Sequence, residues 1–215
     1  MHIEKYTMKD AWAILNHNEM SKARQERDNV DSSLTPLNYN LSPFNGWESL
    51  KEVITSPKVR IQKRKDINVL CSCCLTAPQN LPKEREREFF ELAYKFLSER
   101  YTGVPVSAWV HLDEPKARAH LHFTWVCLVQ DKKRNILKVC AKEQLTRSDL
   151  ATLHNDFKDF IDKEMRLNLD ILNGATSKGN LSILELKQKS LKNDIHLLEK
   201  AKRRIQTELE RCISR

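Results

Sequence analysis

The sequence contains no apolar run that approaches the ~20 residues a membrane-spanning helix needs. Its first residues, Met1 to Lys5, also lack the apolar core of a secretory signal peptide. Aromatic residues are scarce, at 7%, whereas charged residues make up 31% of the chain. These features argue against a membrane protein and predict a soluble, cytoplasmic one.

The sequence also lacks a second Cys-x-x-Cys pair that could complete a tetrahedral zinc site. Three of the six cysteines, Cys71, Cys73 and Cys74, fall in a segment with strand character. Neighbouring side chains of a strand point to opposite faces, so these thiols cannot surround one ion. The spacing predicts reduced cysteines in the core of a cytosolic protein.

Positive charge is in excess, because 37 Lys and Arg residues face 29 Asp and Glu residues, a net charge of +8. This balance favours a phosphate-rich partner, although a generally basic surface would produce it as well. A chain of 215 residues is long enough for one domain with a sizeable core and an appendage.

Hydrophobic periodicity predicts alternating strands and helices. Strands are predicted at 1–7, 67–76, 105–112, 118–129 and 167–172, and helices at 9–27, 83–101 and 147–165, where Thr146 is the predicted N-terminal cap. Because two central strands lie close in sequence, we expect an α/β (α+β layered) fold with a central, mainly antiparallel sheet flanked by helices.

The last 35 residues differ from the rest of the chain. They contain neither Gly nor Pro, and apolar residues recur every seven positions at Leu184, Leu191, Leu198 and Ile205. This pattern predicts a long C-terminal helix over 181–215, after a domain at 1–180. Charged residues flank this apolar stripe and make it narrow. Homodimerisation through the helix and packing of the helix back onto the domain therefore both remain open.

Histidines are concentrated on one predicted strand face. His120 and His122 alternate with the apolar Leu121 and Phe123, so the two imidazoles share the polar face. A short connection brings His111 of the preceding strand beside them, since opposed residues of paired strands have Cβ atoms about 4.5–5.5 Å apart. Three imidazoles predict a divalent metal site with positions left for substrate. The alternative is a polar sheet face with hydrogen-bonded histidines.

These residues also carry a family resemblance. His120-Leu121-His122 is similar to the "HUH" signature of endonucleases that nick single-stranded DNA. The upstream His111-Leu112-Asp113-Glu114 block, together with His17-Asn18 and the segment 37–41 (Leu-Asn-Tyr-Asn-Leu), resembles the Mob/Pre family of plasmid-mobilisation relaxases, the MobV type. The resemblance covers about residues 1–190.

The resemblance implies a relaxase that cuts one strand of a transfer origin by metal-dependent transesterification and stays attached to the 5′ phosphate. By motif position, His111, His120 and His122 hold Mn or Mg, and His17 is the nucleophile. Glu114 is the matching carboxylate, either a general base or a residue that orients a ligand. Tyr39 is the rival nucleophile, because other HUH enzymes use tyrosine.

The chain departs from the family pattern in two places. Glu19 and Met20 follow His17-Asn18, where the family soon has Arg, and the 115–119 link is longer than usual and lacks a Thr-Pro pair. These departures keep a non-catalytic DNA-binding relative as an alternative. A rolling-circle replication initiator is a further alternative, because it would share the same site and chemistry.

The expected partner is single-stranded or supercoiled origin DNA, which requires basic and aromatic side chains along a groove. The predicted DNA-binding residues are Asn18, Arg24, Asn38, Tyr39, Lys58, Arg60, Lys63, Arg64, Lys116, Arg118 and Lys178. For each cation, ordinary solvated surface is the alternative.

Overall fold

The computed structural model describes residues 1–19, 30–115 and 117–172, together with helical residues between 191 and 206. The chain divides into two compact units, Met1–Leu172 and Asn173–Arg215. The predicted boundary at 180/181 lies outside the described residues and stays a prediction. Among the helices that the structure describes, none is both long and apolar enough to cross a membrane.

The described part of the first unit contains eight strands. They are β1 (His2–Thr7), β2 (Tyr39–Asn40), β3 (Val59–Arg60), β4 (Asn68–Thr76), β5 (Val104–His111), β6 (His120–Val126), β7 (Leu128–Asp131) and β8 (Ile136–Val139). Five of them form a sheet of order β1-β4-β6-β5-β2, in which every neighbouring pair is antiparallel. The predicted α/β fold with a mainly antiparallel central sheet is confirmed.

A second, three-stranded sheet of order β3-β8-β7 was not predicted. The chain leaves the first sheet at Cys127, so the single strand predicted at 118–129 is in fact two strands, β6 and β7. The strand predicted at 167–172 is wrong, since these residues form no strand. Instead the segment is held to the preceding helix, where the Asp162 carboxylate accepts a hydrogen bond from the Leu169 amide at 3.1 Å.

Five helices accompany the sheets in the described part of the first unit. They are α1 (Met8–Asn18), α2 (Gly46–Thr55), α3 (Glu86–Arg100), α4 (Ala141–Gln144) and α5 (Arg147–Met165). The bounds of α5 are those predicted, because Thr146 caps its first turn by accepting a hydrogen bond from the Asp149 amide at 3.1 Å. The backbone turns left-handed at Arg166, which ends the helix.

Both faces of the five-stranded sheet carry apolar clusters. The face that presents Leu121, Phe123 and Trp125 is covered by α3 and α5, as the strand alternation predicts. On the opposite face, Leu15 of α1 and Leu50 of α2 belong to a second buried cluster with strand residues such as Val126. His120 and His122 share the face of Val126 by alternation but lie at the other end of β6. This second buried cluster therefore packs α1 against the sheet face that bears the histidines.

The described residues of the second unit, between 191 and 206, are helical, as predicted. Dimerisation through this helix stays a prediction.

Candidate metal centre

Three imidazoles meet where β5 and β6 pair. The register places His111 opposite His120 and Trp109 opposite His122, so all four side chains share a face. The ring centroids of His111, His120 and His122 lie 4.7–5.4 Å apart. One nitrogen from each ring lies within 4.8 Å of the other two. Since a shared cation needs its ligand atoms about 2 Å away, the three nitrogens would have to move closer together to hold one ion.

Hydrogen bonds determine which nitrogen of two of these rings faces the shared space. The Nε2–H of His111 donates to the Asn18 carbonyl at 2.8 Å, and the Nδ1–H of His120 donates to the Arg118 carbonyl at 2.8 Å. A carbonyl oxygen only accepts, so the lone pairs of the neutral rings reside on His111 Nδ1 and His120 Nε2. This arrangement orients histidines in metal sites generally.

Glu114 lies against the same two nitrogens. One carboxylate oxygen is 3.8 Å from His111 Nδ1 and the other is 3.8 Å from His120 Nε2. His111 and His120 are only 1% and 7% exposed. A buried group of imidazole lone pairs with an adjacent carboxylate is a donor set that fits a divalent cation.

The last turn of α1 brings a fourth imidazole to this group. The ring centroid of His17 lies 5.4 Å from that of His122 and 6.0 Å from that of His111. The next residue, Asn18, is buried and accepts the His111 hydrogen bond through its carbonyl. The C-terminal carbonyls of a helix carry partial negative charge, which also favours a cation nearby. The structure thus unites His17 with the predicted ligands, while its nucleophilic role stays a prediction.

A buried network holds the chain that leads from β5 to Glu114. The fully buried Asp113 accepts a hydrogen bond from the Thr35 hydroxyl at 2.9 Å. The Asn38 side-chain oxygen accepts from the Leu112 amide at 2.7 Å. Sequence reasoning missed this network, because its partners are more than 70 positions apart. Asn38 is 8% exposed, and its predicted contact with DNA stays a prediction.

Tyr39 lies away from the four imidazoles. It pairs with Val110, which pairs with Leu121, so its ring shares the apolar face of the sheet. The Arg87 guanidinium carbon lies 4.7 Å from the centroid of the ring. Burial raises the pKa of Tyr39 to about 12.

The predicted DNA-binding cations of the 58–65 run differ in their surroundings. Lys58 and Lys63 are exposed. Arg60 forms an ion pair with Asp131 at 2.8 Å, and Arg64 forms one with Asp66 at 2.7 Å. Arg118 is exposed beside the triad. Arg24, Lys116 and Lys178 lie outside the described residues.

Two further features escaped the sequence reasoning. Lys132, Lys133 and Arg134 are exposed in the turn between β7 and β8 of the three-stranded sheet, and Lys58 directly precedes β3 of that sheet. Their signal was a Lys-Lys-Arg run between two short apolar segments. Trp109 shares the histidine face, which the alternation from His111 would have shown.

The sequence is similar to those of known plasmid recombination enzymes. The sequence model of the plasmid recombination enzyme family, Mob_Pre, matches residues 1–178. A plasmid recombination enzyme from Bacillus sp is 26% identical over 97% of this chain and 50% of its own length. One from Bacillus thuringiensis is 27% identical over 97% of this chain and 47% of its own length. The chain therefore spans about half the length of these curated relatives.

Solved structures show the same fold. The MobM relaxase domain (MOBV; Mob_Pre), bound to 22 nucleotides of plasmid pMV158 oriT DNA in an Mn-bound crystal, matches with a TM-score of 0.67 and 21% identity. The match covers 87% of this chain and 97% of that domain. A second Mn-bound crystal of that domain, with a 3′-thiophosphate on the DNA, also gives 0.67, at 22% identity. By its match over residues 1–178, in agreement with the sequence resemblance, this chain belongs to the plasmid recombination enzyme family, Mob_Pre.

Proposed function

We propose that this protein nicks one strand of DNA at the transfer origin of a plasmid or mobile element, by metal-dependent transesterification, and remains joined to the 5′ phosphate. The observation that carries the proposal is the convergence of three metal-binding imidazoles and a fourth, His17, at one end of the sheet. Family membership supports it, as does the Mn-bound, oriT-bound relaxase domain of the same fold.

Three residues would hold the metal. His111 offers Nδ1 and His120 offers Nε2, since their other nitrogens donate to carbonyls, and His122 completes the triad. A bound Mn or Mg ion supplies charge neutralisation at the scissile phosphate. The Glu114 carboxylate, beside two of the ligands, either orients them or accepts a proton during the reaction.

His17 is the proposed nucleophile. Its neutral imidazole attacks the scissile phosphorus, the P–N bond forms, and the bond from phosphorus to the 3′ oxygen breaks. The 3′ oxygen leaves as a hydroxyl after taking a proton, and the imidazole loses its own N–H proton to a base. The phosphoramidate keeps the phosphoryl group activated, so the same 3′ hydroxyl can later rejoin the strand.

The geometry favours His17 over Tyr39. The His17 ring lies 5.4 Å from a proposed ligand ring, whereas Tyr39 occupies the opposite face of the sheet. Burial also raises the pKa of the Tyr39 hydroxyl, so that its proton is harder to remove, which weakens it as a nucleophile.

The direct test uses supercoiled DNA of the element that encodes this protein, incubated with Mn. We expect nicked circles with protein attached to the 5′ end. His120→Ala and His122→Ala should yield none while keeping the wild-type circular dichroism spectrum. The matched control is His2→Ala, which removes an exposed histidine of β1. Undiminished nicking by either ligand variant would show that the proposed triad is not the metal site.

A further inference from the structure

A cavity of about 700 Å³ opens at the end of the five-stranded sheet where the metal centre lies. Its size is within the range of about 300–1,000 Å³ that is typical of small-ligand sites. We call it the Tyr39–Arg87 cavity, after two of the residues that line it. Leu37, Leu81, Leu112 and Arg118 are also among them.

The cavity begins one residue away from two proposed metal ligands. Leu112 of its wall follows His111, and Ala119 precedes His120. Tyr39 faces the apolar side of the sheet, whereas the histidines face the other side. A nucleic-acid strand that passes around this end of the sheet would therefore place a phosphate at the imidazoles and a neighbouring nucleotide at the cavity.

The wall of the cavity provides a flat stacking surface. The Arg87 guanidinium lies over the Tyr39 ring, with its carbon 4.7 Å from the ring centroid. Arg87 itself is held by Glu91, whose carboxylate accepts from Arg87 Nε at 3.0 Å. Arginine planes and aromatic rings are the surfaces on which unpaired bases stack.

The rest of the lining combines apolar residues at the rim with an excess of positive charge. Leu37 leaves 58% of its surface exposed. Three cations, Lys83, Arg87 and Arg118, line the cavity together with one carboxylate, Glu86, which pairs with Lys83 at 2.8 Å. A ligand with an apolar planar part and a negatively charged backbone matches this combination.

We propose that the Tyr39–Arg87 cavity binds one unstacked nucleobase of the single strand on which the metal centre acts. The base stacks on the Arg87–Tyr39 pair, while Arg118 and Lys83 face the flanking phosphates. This inference rests on the proposed function, because it assumes a single-stranded DNA substrate.

The test compares metal-free binding of two fluorescent 20-nucleotide strands, one of thymidine and one abasic, by anisotropy. Wild type should prefer the thymidine strand. Arg87→Ala should weaken thymidine-strand binding about fivefold or more, the contribution expected from one stacked base, and leave abasic-strand binding within about twofold. Arg87→Lys keeps the charge but loses the plane, so it should behave in the same way.

Arg147→Ala, at an exposed arginine of α5 that does not line the cavity, is the matched control and should bind both strands as wild type does. Tyr39→Phe, which keeps the ring and removes only a buried hydroxyl, should bind both strands as wild type does. Equal losses of affinity for the two strands in Arg87→Ala would identify a phosphate contact and overturn the proposal, as would unchanged binding. If wild type binds neither strand, the proposed function is contradicted as well. If wild type binds both strands with equal affinity, only the proposed base-binding site is contradicted.

Discussion

The His111 imidazole donates a hydrogen bond to the Asn18 carbonyl at 2.8 Å, across 93 positions of sequence. This bond joins the last turn of α1 to the sheet at the point where three imidazoles meet. It also directs the remaining lone pair of His111 into the triad and holds the adjacent His17 beside His122. One hydrogen bond thus couples the placement of the proposed nucleophile to the orientation of a proposed ligand.

The first prediction concerns the nucleophile. His17→Ala should reduce the covalent protein–DNA adduct below detection, because no other group of the metal centre replaces the attacking nitrogen. Tyr39→Phe should retain it at near wild-type yield when DNA is saturating. The adduct is measured by denaturing gel electrophoresis of labelled DNA after incubation with Mn. The reverse pattern, an adduct lost only in Tyr39→Phe, would make Tyr39 the nucleophile.

The second prediction concerns metal affinity in the absence of DNA. A cation that binds only the folded protein stabilises it, by about 2.7 kcal/mol at 100 times its dissociation constant. For a chain of this size we expect Mn to raise the melting temperature by about 5–10 °C. His120→Ala and His122→Ala should reduce this shift to about 1 °C or less, measured by differential scanning fluorimetry, whereas His2→Ala should keep it. Equal shifts in all four proteins would place the metal elsewhere.

Features set by local pattern were predictable from the sequence. The bounds of α5 follow from a cap residue and a 3.6-residue apolar period, and both were read correctly. The alternation of His120, Leu121, His122 and Phe123 fixed which side chains share a face. The convergence of His111 with them then required only a hairpin between adjacent strands.

Features that depend on pairing between segments far apart in the sequence were not predictable. The pairing of β2 with β5, which places Tyr39 on the face opposite the histidines, involves a two-residue strand with no periodicity to detect. The contact of Thr35 with Asp113 joins residues 78 positions apart. The sheet face that carries His120 and His122 was expected to be polar, but α1 and α2 cover its other end with a second apolar cluster.

The third prediction tests the buried network under the metal centre. Thr35→Val removes the hydroxyl that donates to the fully buried Asp113 carboxylate, so we expect the free energy of unfolding to fall by about 1–3 kcal/mol. Nicking should also slow, because the chain leading to Glu114 loses an anchor. The matched control is Thr55→Val, at an exposed threonine of α2, where a change within about 0.5 kcal/mol is expected in urea denaturation. Similar losses of stability in both variants would show that the network contributes nothing specific.

The fourth prediction is that lysines in and around the three-stranded sheet (β3-β8-β7) contact the DNA backbone. Lys58 and Lys63, together with Lys132 and Lys133 of the neighbouring turn, are exposed, whereas Arg60 and Arg64 are engaged by carboxylates. Each lysine that contacts a phosphate of a single strand contributes about 0.7 to the slope of log affinity against log salt concentration. Substituting these four lysines with Gln should therefore lower the slope by up to about 2.8 and weaken binding at low salt. Arg64→Gln should change the slope less than a lysine of this group does, since the Arg64 guanidinium is paired with Asp66. A slope unchanged in the fourfold variant, measured by anisotropy between low and moderate salt, would remove this sheet from the DNA path.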